Sequence, residues 1–190
     1  MKQHIIKNSL IRYCVYGFFF VSILGTLSHF FYDWSGQNPI VGFFCPVSES
    51  TWEHMKLVFF PMLLYYPFVY KKLGTAYPLV SSVYPWSILL GTHVVPIMFY
   101  TYSGILGFQI MFVDILIFYA SVLLAFLFFY YLTKDYPAPF KCQNYEQKHP
   151  KRNKCFLKLK PLLNLLVVIT ICLFIIFTNH PPKLAIFQSP

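Results

Sequence analysis

The sequence predicts an all-α integral membrane protein, a single bundle of about five transmembrane helices over residues 1–190. Its N-terminus is expected in the cytoplasm and its C-terminus outside. Three observations carry this. Only 11% of the residues are charged and 57% are apolar, where a soluble domain carries about 25% charged residues. Several apolar stretches approach the ~20 residues needed to cross a bilayer core. The basic residues fall in segments that a five-span topology places on one face.

The first span is expected at about 13–32. Lys2, Lys7 and Arg12 precede it, as in a signal peptide, but the apolar run is too long for an h-region and shows no small-x-small cleavage site. The second, about 50–70, follows SESTWEHMK and reads LVFFPMLLYYPFVY before Lys71 and Lys72 stop it. The third, about 78–100, is polar for a span, with Ser81, Ser82, Ser87, Thr92 and His93. The fourth covers about 107–133. The fifth, about 161–178, reads PLLNLLVVITICLFIIFT and has no charge. A basic loop, 134–160, joins the last two.

Orientation follows from the Lys and Arg residues. The N-terminal arm, the connection between spans two and three, and the 134–160 loop contain 13 of the 15. This explains the net charge of +9 through topology and anionic inner-leaflet lipids. Membrane lipids are the expected partners and the cell membrane the expected location. Nucleic acid is not expected, because no stacking platform or nucleic-acid motif accompanies KHPKRNK. The five cysteines form no C-x-x-C pair, so neither a disulfide framework nor a zinc knuckle follows.

With that topology, ionisable groups gather at the outer level of the spans. His29 and Asp33 are four apart on the first helix and share a face. Glu49 and Glu53 share a face at the start of the second, with Ser50 and His54 on the neighbouring one. Lys56 follows Glu53 by three and can reach it. His93 lies about two turns below the outer end of the third helix, Asp114 about 10 Å into the fourth at ~1.5 Å per residue, and His180 directly after the fifth. Four of the six acidic residues, Asp33, Glu49, Glu53 and Asp114, thus fall in one layer. Charged side chains at the bilayer centre cost at least ~2.5–3.5 kcal/mol on insertion scales and normally face a bundle interior or watery cavity.

Ordinary roles compete for several of these residues. Glu49 suits a helix N-terminus, and Ser50 with Glu53 resembles a capping box. Trp34 and Trp52 fit an interfacial aromatic belt. Lys56 either snorkels to the surface or neutralises Glu53. Asp114, between Phe112, Val113, Ile115 and Leu116, needs a partner, and His54 or Lys56 is the natural one.

The stretches GTLSHFFYDWSG, NPIVGFFCPVSESTWEHMKLVFFPML, FYTYSGILG with the following VDILIF, and FTNHPPKLAIFQSP resemble a family of small bacterial polytopic membrane proteins. That family is known only as a domain of unknown function, with an N-E-S-x-W-E-H-x-K motif in which Ser48 here replaces the asparagine. The resemblance implies a membrane protein and no activity. A weaker likeness joins Ser50-x-x-x-His54 and Asp114 to the ceramidase-like zinc hydrolases, whose seven spans and H-x-x-x-H motif this chain lacks.

Three functions fit these residues. One is a membrane-embedded hydrolase acting on a lipid-like substrate from the outer face. A divalent metal such as zinc would take ligands from His29, Glu53, His54, His93 and Asp114. Glu49 or Asp33 would act as general base, and Ser50 and Lys56 would support the site. The others are a structural membrane protein with a buried polar plug and a small cation- or proton-coupled transporter.

Overall fold

The computed structural model describes residues 2–134 and 150–189, with side chains described for 9–134 and 158–189. Most of the basic 134–160 loop, including Lys141 and Lys148, therefore lies outside the described residues. The described residues are helical and contain no strand. The elements are α1 (Lys2–Trp34), the one-turn α2 (Pro39–Gly42), α3 (Thr51–Leu73), α4 (Val80–Leu106), α5 (Met111–Thr133), α6 (Pro150–Asn179) and a 3₁₀ turn at Ala185–Phe187.

Four of the five long helices contain stretches long and apolar enough to cross a membrane: Ser9–Trp34, Val80–Leu106, Met111–Thr133 and Lys158–Asn179. Their outward faces are greasy, with Phe19, Ile23, Ile105, Phe112, Leu165 and Val168 all exposed. A soluble monomer rarely exposes contiguous apolar surface of this extent. The exception is α3. It is 23 residues long but carries Glu53, Lys56, Lys71 and Lys72, and its physical situation differs. It packs against both α1 and α4, while α5 closes the ring between those two and α6 lies against α4. Residues 55–62 of α3 are buried without a break, so protein rather than solvent or lipid surrounds this stretch.

The polar residues of α4 are absorbed locally. Ser87 and Thr92 are fully buried and donate to the carbonyls of Val83 and Ile88, 2.9 and 2.8 Å away. This back-bonding lets hydroxyls sit in an apolar interior. The core itself is aromatic: Tyr84 is fully buried between Tyr66, Phe126 and Phe129. Its hydroxyl donates to the Met62 carbonyl at 3.2 Å.

Gly25 sets the approach of α1 to α3. A Cβ there would stand 2.6 Å from the Leu57 carbonyl oxygen and 2.6 Å from the Phe118 ring, so only glycine lets the two backbones come this close. One turn further along α1 is His29, delivered against α3 by that contact. The two helices run in opposite senses, so His29, His54 and Glu53 share one end of the bundle. Arg12, Lys71 and Lys72 lie at the other.

Candidate metal centre

Helix α3 starts where Ser50 caps it. The Ser50 backbone is extended, and its hydroxyl accepts from the Glu53 N–H at 3.4 Å, satisfying one of the free donors of the first turn. On this helix His54 faces α1, where it meets His29, while Lys56, with Glu53, faces the end of α2 and α6.

His29 from α1, Glu49 from the loop before α3, and His54 from α3 converge. The Nε2 atoms of the two histidines are 3.3 Å apart. Glu49 Oε2 lies 3.5 Å from His29 Nε2 and 3.4 Å from His54 Nε2. Among the described residues this is a group of three ligand atoms within 4.8 Å of one another. The site is open: the histidine side chains are 31% and 30% exposed and that of Glu49 is 66% exposed.

The tautomer of His54 follows from its other nitrogen. Nδ1 is 3.0 Å from the Ser50 carbonyl oxygen, which can only accept, so Nδ1 carries a proton, and in the neutral ring Nε2 is the lone-pair atom facing the centre of the group. Metal-ligating histidines are commonly oriented in this way by a carbonyl or carboxylate.

The edge lengths are informative. A tetrahedral ion with ligands at ~2.0–2.1 Å sets them about 3.3–3.4 Å apart. An octahedral ion at the same bond lengths would bring neighbouring ligands to about 2.8–3.0 Å. The observed edges of 3.3, 3.4 and 3.5 Å match the tetrahedron; an octahedral ion reaches them only at about 2.3–2.5 Å, bond lengths of calcium, an ion that two imidazole ligands do not suit.

The other residues singled out in the sequence lie elsewhere. Glu53 is buried, and its Oε2 receives Lys56 Nζ at 2.6 Å and the Val47 N–H at 3.0 Å. Its carboxylate is committed to that pair instead of joining the two histidines. Lys56 is fully buried and does not snorkel; it also donates to the Gly42 carbonyl at 2.9 Å and to Thr178 Oγ1 at 2.6 Å. Asp114 finds neither His54 nor Lys56 as its hydrogen-bonding partner. The Tyr102 hydroxyl donates to it across the turn between α4 and α5, and the Ile110 N–H caps that hydroxyl from behind at 3.2 Å. A tyrosine twelve residues earlier carries no charge signal, which is why sequence reasoning passed over it.

His93 is exposed and bonds through Nδ1 to the Leu89 carbonyl at 2.7 Å. Asp33 and His180 are exposed near the ends of their helices. Trp34, 68% exposed, suits an interfacial belt. Trp52 does not: α6 and the C-terminal turn cover it through Phe174, Phe177 and Phe187, with ring centroids 5.0, 5.5 and 4.9 Å away.

Residues 1–139 match a family described as a family of unknown function, DUF6512. The chain belongs to this family. The match contains all three converging residues and ends before α6. No curated protein and no solved structure matches the chain.

Proposed function

We propose that this member of the family is a multi-pass protein of the cell membrane, all five long helices crossing it, that holds a zinc-like divalent ion at its outer face. His29, Glu49 and His54 would hold it, leaving a fourth position open to water. The convergence of two Nε2 atoms and one carboxylate oxygen at tetrahedral spacing supports this reading above any other observation. Structural zinc sites close all four positions with protein ligands, whereas three ligands and an open side are the pattern of catalytic ones.

Such an ion lowers the pKa of its bound water toward ~7 and polarises a carbonyl or phosphoryl oxygen. The reaction this suits is hydrolysis of a lipid-like substrate presented at the membrane surface. Glu49, as a ligand, is not free to act as general base.

Metal analysis of the purified protein tests the reading. It expects about one zinc per chain, lost in His29→Ala and His54→Ala variants that elute and unfold like the wild type. A metal-free wild type after exposure to zinc would refute it.

A further inference from the structure

We propose that the buried Lys56–Glu53 pair positions the metal ligand Glu49 and couples the end of α6 to it. The inference rests on the metal-binding reading, and it concerns residues that touch neither the ion nor its water.

The Lys56 ammonium has three protons and three acceptors at hydrogen-bonding distance: Gly42 O at 2.9 Å, Glu53 Oε2 at 2.6 Å and Thr178 Oγ1 at 2.6 Å. These belong to three separate parts of the chain, the end of α2, the first turn of α3 and the last turn of α6. Glu53 adds a fourth attachment, accepting the Val47 N–H at 3.0 Å. The loop that delivers Glu49 is therefore pinned to one buried ion pair at both Gly42 and Val47. The Val47 and Tyr32 side chains pack directly onto the Gly42 backbone, where a Cβ would stand 2.7 Å from Val47 Cγ1 and 3.1 Å from the Tyr32 ring.

Glu49 lies two residues beyond Val47 and one before the cap Ser50, whose hydroxyl also meets that of Ser48 at 3.2 Å. Its backbone is held on both sides while its side chain is largely exposed. An exposed carboxylate sits over two histidines at low entropic cost only when its backbone is already fixed. Thr178, which also donates to the Phe174 carbonyl at 2.7 Å, brings α6 into the same bracket. A displacement of α6 would reach Glu49 through a single ammonium group.

The double variant Lys56→Met/Glu53→Met tests this, because replacing a buried ion pair by apolar residues of similar size is often neutral for stability. Three quantities are read: zinc affinity by chelator competition, the visible spectrum of the cobalt-substituted protein, and hydrogen exchange over residues 43–50. The expected result is a zinc affinity lower by ~10–100-fold, the range for groups that orient metal ligands. The cobalt spectrum should move toward that of Glu49→Gln, and exchange over 43–50 should accelerate. Thr178→Val, which leaves the ion pair in place, should shift all three in the same direction by less, and it carries the test should the double variant not fold.

Wild-type affinity, spectrum and exchange in a folded variant would overturn the proposal. If the wild type holds no metal, exchange decides alone. Faster exchange over 43–50 upholds the positioning role while the metal reading falls; unchanged exchange overturns both.

Discussion

The first two turns of α3 serve two polar clusters of opposite character. Toward α6, Lys56 and Glu53 are sealed, with side chains 0% and 4% exposed, and every ammonium proton has an acceptor. Toward α1, His54 meets His29 and Glu49 in a group open to its surroundings, with the His54 ring oriented by the Ser50 carbonyl. Burial without an open position suits a bracket; exposure with free lone pairs suits a ligand set. Neighbouring residues on one helix thus reach different ends because they face different neighbours.

The contrast breaks most visibly when one partner of the sealed pair is removed. Lys56→Ala should cost about 3–5 kcal/mol, the usual effect of leaving a buried charge without its partner, read as a lower unfolding midpoint in detergent. Lys56→Arg should not restore it fully, because a planar guanidinium does not reproduce three divergent donors. Gly25→Ala comes next. Its Cβ would press on the Leu57 backbone, so the expected loss is ~1–3 kcal/mol, with weaker metal binding as His29 is pushed away from His54.

On the open side the order of effects reverses. His54→Ala should change stability by ~1 kcal/mol or less, roughly that of one ordinary hydrogen bond, yet abolish measurable zinc binding. The smallest effect belongs to His93→Ala, expected within about 0.5 kcal/mol of wild type and unchanged in zinc affinity. Loss of zinc in that variant would mean that the ligand set has been drawn wrongly.

Much of the helical layout was legible because apolar runs and the lysines that stop them are direct physical signals. The layer of ionisable groups was legible too, as were the residue types that meet there. Their pairing was not. Helical spacing allows Lys56 to reach Glu53, but it says nothing about which side of α3 faces α1. It therefore left Glu53 looking like a ligand and Glu49 like a base. That choice is made by the loop from Gly42 to Ser50, whose path depends on contacts from distant segments such as Thr178. Asp114 was legible as a residue in need of a partner, while Tyr102, an ordinary aromatic in an aromatic-rich chain, was not legible as that partner. Trp52 misled for a related reason: a tryptophan at a helix start suits an interfacial belt, and only the returning C-terminal segment covers it.

X-ray absorption at the zinc edge of the zinc-loaded protein tests the central claim most directly. The account predicts four nitrogen or oxygen ligands at ~2.0–2.1 Å, with outer-shell scattering from two imidazoles. A six-coordinate ion, or a spectrum without imidazole scattering, would contradict it.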